Sequence, residues 1–154
     1  MSLETLFSAA GAVAAAGWLV LALAPYRWQR AARGAAVAAA IVIAMLYAGL
    51  IGAFWTSAEG GFGSLADVQQ LFRHPGILLA GWVHYLAFDL LVGCWEREEA
   101  VRLGLPRWAL APCLALTFLL APLGWLVFLG VRAFAARRTP HDASNGVTER
   151  PLAA

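Results

Sequence analysis

Residues 80–96 read AGWVHYLAFDLLVGCWE, an apolar run long enough to lie in lipid with His84 and Asp89 near its middle. A charged side chain at the centre of a bilayer costs ~2.5–3.5 kcal/mol on insertion scales, so its default reading is function, facing the bundle interior or a wet cavity. The alternative is a structural pair that hydrogen-bonds neighbouring helices. On an ideal helix, positions 82, 85 and 89 share one stripe, which puts Tyr85 one turn from Asp89 and sets Trp82 beside them. His84 lies five positions from Asp89, about 140° around the helix, so the two flank a cavity rather than bond directly. A catalytic triad is not supported, because no nucleophile stands in register. A metal site is poorly supported: the chain has three histidines, and His74 falls about 15 Å along the helix axis from His84. Haem ligation would rest on His84 alone.

These residues need helices to hold them, and composition says what kind. Hydrophobic residues make up 62% of the chain and charged residues 13%, far from a soluble balance. Four windows, about 6–24, 34–55, 76–95 and 107–132, each meet the ~20 residues that cross the hydrocarbon. None carries the polar stripe of a soluble bundle helix. The expected fold is all-α: an integral membrane bundle of four transmembrane helices, forming one domain over 1–138, with a polar, disordered tail at 139–154 that includes His141. The first window follows MSLET, without a basic n-region, and reads as a retained helix rather than a signal peptide. Cys94 and Cys113 form no CxxC and read as small buried hydrophobes.

All eleven basic residues are arginine. Arg27, Arg30 and Arg33 follow the first window; Arg97, Arg102 and Arg107 follow the third. The positive-inside rule sets both groups in the cytoplasm and both termini outside. Arg132, Arg137, Arg138 and Arg150 pull the other way. Between windows two and three, SLADVQQLFRH carries a capping box at Ser64 and Asp67 and apolar residues at helical spacing, which predicts a short interfacial helix. EGGFGS before it has neither GxGxxG nor Walker spacing. In the fourth window Pro122 predicts a kink, because it lacks an N–H and clashes with the carbonyl of Phe118. The freed carbonyl must find a donor within the protein. Interior Trp18, Trp82 and Trp125 read as packing or as a flat wall for a conjugated ligand.

GWVHYLAFDLLVG at 81–93, PCLALTFLLAPLGWLVFLGVR at 112–132 and GGFGS at 60–64 resemble the abscisic acid deficient-four, neoxanthin synthase-like family, in its bacterial form. The resemblance covers about residues 5–133 and implies a four-span membrane protein. It further implies carotenoid chemistry of the type that opens a 5,6-epoxide and creates an allene without net oxidation. Such an isomerisation asks for an acid at the epoxide oxygen and a base for a carbon-bound proton, with no metal and no cofactor. On this reading His84 and Asp89 are the catalytic pair, with a neutral Asp89 donating and His84 accepting or the reverse. Trp82, Tyr85, Phe88, Pro122 and Trp125 are the substrate-binding residues. Expected partners are membrane lipid, an apolar polyene or isoprenoid, and a second copy of the chain; no nucleic acid is expected. The expected location is the inner membrane of a bacterium. Two alternatives stay open: a non-catalytic carotenoid- or lipid-binding accessory protein, and a small proton-coupled transporter.

Overall fold

Five helices carry the described residues, 1–138 of a computed structural model; the tail assigned to 139–154, with His141, lies outside them. Helix α1 (Leu3–Leu23) starts where the Ser2 hydroxyl accepts from the Thr5 N–H. Helix α2 (Gln29–Phe54) follows a one-turn 3₁₀ segment, Tyr26–Trp28. The expected interfacial helix is α3 (Leu65–Leu71), capped by Ser64, which accepts from the Asp67 N–H and donates to the Asp67 carboxylate at 2.8 Å. Helix α4 (Pro75–Arg102) is capped by the His74 ring, with Pro75 in its first turn, where a missing N–H costs nothing. Helix α5 spans Arg107–Arg138. Four helices are long and apolar enough to cross a membrane, as the composition required.

Helix α4 is the hub, packed on α1, α2 and α5. Helix α1 presses close enough that Trp18 lies where a side chain on Gly93 would stand. Only a glycine admits that approach. Trp18, Leu21, Leu90, Cys94 and Phe128 are buried together at one end of the bundle. Ala14, Ile43, Ala80, Val83 and Leu86 are buried towards the other.

The expected kink in α5 is a reversal. Leu120 leaves the helix at φ −146° and ψ 66°, and the chain doubles back on itself. Gly124 meets the backbone of Thr117, seven residues earlier. Trp108 and Pro112 line one groove with Gly130 and Phe134, residues that a straight helix would hold more than ~25 Å apart. The outgoing arm is thus 107–119 and the returning arm 121–138. Pro122 sits in the first turn of the returning arm, not in mid-helix, where proline is tolerated without breaking a bond. The reversal also corrects the expected topology. Arg132 on the returning arm bonds Glu99 at 2.5 Å, and Arg102 bonds the same carboxylate at 2.7 Å. Arg33 reaches Glu98 at 3.2 Å. The arginines after the first, third and fourth apolar windows gather at one end, and Arg132 no longer opposes the others.

The same end holds a buried guanidinium. Pro25 has no N–H to offer the Leu21 carbonyl, and the last four carbonyls of any helix lack intrahelical donors. Arg97, 1% exposed, supplies them from α4. It donates to the carbonyls of Leu21, Ala24 (2.7 Å) and Pro25 (3.3 Å) and to Gln29 Oε1 (2.6 Å), and stacks over Tyr26. Arg107 donates to Ala22 and Leu23 at 3.1 and 2.8 Å. Beyond the Val20 carbonyl, which the Ala24 N–H satisfies, the C-terminal end of α1 is therefore capped by other helices.

Two outcomes are expected. Reporters fused after residue 138 and inserted at 103–106 report the same side of the membrane, and one at 61 the opposite side; a tail reporter on the side of residue 61 refutes the reversal. Arg97→Met fills the space but strands the carbonyls, so the detergent-solubilised protein loses about 3 kcal/mol, read as a lowered denaturation midpoint.

Candidate functional site

Asp89 stands where the stripe through Trp82 and Tyr85 meets the tip of the α5 reversal. The residue is 9% exposed, and its Oδ2 has no hydrogen-bond partner. Tyr85, one turn earlier, lies against the carboxyl. The Tyr85 hydroxyl also reaches the Phe118 carbonyl at 3.5 Å, a long bond at the limit of useful geometry. That carbonyl lies in the last turn of the outgoing arm, which ends at residue 119, so no helical N–H reaches it. Aromatic rings surround the group. Trp82 lies 5.5 Å from Tyr85 and 5.6 Å from Phe7, and Trp18 meets Phe118 edge-on at 5.7 Å.

His84 is elsewhere. It is exposed on the flank of α4 that faces α2, between the rings of Tyr47 at 5.3 Å and Phe88 at 4.6 Å. It forms the deep end of a groove of about 500 Å³ walled by Tyr47, Ile51, Trp55, Phe62, Phe72 and Gly81. The 3₁₀ turn Trp55–Ser57, the glycine-rich loop and α3 form the roof. Among the described residues His84 is the one titratable imidazole or carboxyl on these walls; the other polar groups are the Tyr47 phenol and the Trp55 indole N–H. At ~1.5 Å per residue it lies about 13 Å below the start of α4. His74 does not join it, being occupied with the α4 cap and with Phe54 at 5.3 Å.

The structure therefore divides the expected pair. Asp89, Tyr85, Trp82 and the Phe118 carbonyl gather on the α1 and α5 side of α4. His84 and Phe88 lie on the α2 side. Trp125 is 40% exposed on the returning arm and lines neither place. The 140° separation anticipated two sides; what it could not give is that α4 itself fills the space between them.

Sequence reasoning also stopped about two turns short. It ended the third span at residue 95 and placed Arg97 and Arg102 in a loop, whereas α4 continues to Arg102. Glu96, Arg97 and Glu99 are buried parts of a helix. Glu96 is 0% exposed and accepts from the Thr117 hydroxyl at 2.8 Å, while its second oxygen has no partner. The available signal was the interval of seven from Asp89 to Glu96, which puts both on one helix face. Among the described residues no three His, Cys, Asp or Glu side chains converge as a metal site would need.

The profile of one protein family, described as ABA DEFICIENT 4-like, matches residues 5–128. The chain belongs to the ABA DEFICIENT 4-like family. The match runs from α1 through the α5 reversal to Phe128, so it takes in both the Asp89 cluster and the His84 groove. Family membership relates the chain, at that level, to neoxanthin synthase-like proteins, and with its four apolar helices it is an integral membrane protein. No curated protein and no solved structure matches it.

The Glu96–Thr117 bond gives a direct check on the family member's buried face. Thr117→Val keeps the shape and removes the donor, and should cost about 1–3 kcal/mol. Glu96→Gln retains an acceptor for Thr117 and should cost less. Equal denaturation midpoints for wild type and Thr117→Val would show that the bond contributes nothing.

Proposed function

We propose that this ABA DEFICIENT 4-like protein seats the end group of a carotenoid or related isoprenoid in the α2/α4 groove and isomerises it by proton transfer. One observation carries the reading: an aromatic-walled groove of about 500 Å³ with His84 at its deep end. Pockets for apolar ligands are lined by aromatic side chains with a few placed polar groups. The volume suits a cyclic end group, with the polyene running out along the flank of α4 past the exposed Phe88 and Leu91.

The chemistry is redox-neutral. A proton goes to the epoxide oxygen as its C–O bond breaks, and another leaves the adjacent chain carbon as the allene forms. His84 gives the first and takes the second, so the imidazole ends as it began. Positioned acid–base assistance of this kind contributes typically ~10²–10⁴-fold in rate. Asp89 stands outside the groove and is not required to touch the ligand. The location that accompanies this reading is a bacterial cytoplasmic membrane with the arginine-rich end inside.

A second reading, non-catalytic pigment binding, draws on the same groove, because His84 is its single strong proton-transfer group. Expression in a host that makes epoxy-carotenoids separates the two. An isomerase yields a pigment of unchanged mass and altered retention, and His84→Ala removes that product while the protein still inserts. Pigment that co-purifies unaltered establishes the binding reading. Product that survives His84→Ala moves the chemistry away from this groove. With neither bound nor altered pigment, the carotenoid reading fails.

A further inference from the structure

Two carboxyl groups have no place in the groove chemistry. Asp89 and Glu96 stand two turns apart on one face of α4, beneath the segment Thr117–Gly124 where α5 turns back. Each has an oxygen that is buried and without a hydrogen-bond partner among the described residues. The unfilled hydrogen-bonding capacity is an observation independent of their acidity, and it points to something that they hold.

The surroundings name it. Tyr85 is the polar side chain beside Asp89. From α5, Thr117 and Cys113 face Glu96. Helix α1 meets this face with Trp18, and neither α1 nor α2 presents a charged side chain to either carboxyl. The arginines nearby are committed elsewhere: Arg102 and Arg132 to Glu99, Arg33 to Glu98 and Arg97 to the α1 carbonyls. A buried carboxylate needs a counter-charge or several donors. Each of these has at most one neutral hydroxyl. A carboxylic acid in the same place needs much less. No three liganding side chains meet among the described residues, and a proton on each carboxyl removes the uncompensated charge with no further partner.

We propose that the interface between α4 and the α5 reversal is a proton-binding site in which Asp89 and Glu96 each hold a proton, and that loss of those protons unseats the tip of the reversal. Protons reach it from the arginine-rich end, where Glu99 lies one turn beyond Glu96. The sign follows from the site. Seating is complete while both acids are protonated and is lost as pH rises and two buried anions appear without partners. This site is separate from the His84 groove and stands or falls without it.

Cys113, 1% exposed on the outgoing arm, reports the seating. In full-length Cys94→Ala protein in liposomes it is the single thiol, and its alkylation by a maleimide is measured against pH relative to a free thiol under the same conditions. The relative rate should rise by at least about tenfold as pH increases, the change that one pH unit produces for each linked proton. Glu96→Gln with Asp89→Asn should flatten the rise. A flat profile in Cys94→Ala, or a rise that persists unchanged in the double variant, overturns the proposal. Should the double variant fail to insert, infrared spectra of wild type decide: a protonated-carboxyl C=O band at neutral pH, shifted by deuterium exchange, supports it, and absence of the band overturns it.

Discussion

A single guanidinium ties this bundle together. Arg97 is inside the protein with no carboxylate partner among the described residues, and its charge is met by carbonyl dipoles at the C-terminal end of α1, where a helix concentrates negative potential. The arrangement needs Pro25 to withhold an N–H, Gln29 to lend a side-chain oxygen and Tyr26 to offer a ring face. Those residues form the turn between α1 and α2, so one side chain on α4 sets where α1 ends and where α2 begins. The axial register of α1 against α4 follows, and with it the fit of Trp18 over Gly93. A lysine has one point charge and could not reach four acceptors in different directions; the planar fork of arginine can.

From that register the two sides of α4 acquire different characters. The α2 side opens into a groove because the chain between α2 and α4 is long and folds its aromatic residues back over the bundle. The α5 side closes because the reversal brings Thr117 and Gly124 together against α4. An imidazole on the open side and two carboxyls on the closed side are thereby kept in unlike surroundings by the thickness of one helix. Groups separated in this way can be tuned independently: one by what enters from lipid, the other by what enters from water.

Much of the frame could be read from residue types. The apolar windows, the Ser64 cap and Pro75 in the first turn depend on local chemistry, and they stand as expected. The stripe through Trp82, Tyr85 and Asp89 is also local, being helical periodicity. The Phe118 carbonyl does lie beyond reach of a helical donor, but because the outgoing arm ends there and not because Pro122 acts within one continuous helix. What eluded the sequence was long-range. A proline in an apolar run predicts a bend, but whether the chain bends or reverses depends on whether Gly124 can rest on Thr117. Similarly, Glu96 and Arg97 look like the polar end of a span. They are buried only because α1 and α5 arrive to cover them. Hydropathy counts the cost of burying a charge in lipid; it does not know that another helix will bring carbonyls or a hydroxyl to it.

The length of the outgoing arm has a consequence for the bilayer itself. Residues 107–119 rise only ~20 Å at helical pitch, against ~30 Å of hydrocarbon. Above the turn at Leu120, therefore, the protein leaves a column of one leaflet unoccupied, bounded by α1 and by the outer half of α4. Lipid must fill that column with shortened or tilted chains, or the membrane must thin there. Either response has a modest elastic cost, a fraction of a kcal/mol for each ångström of mismatch.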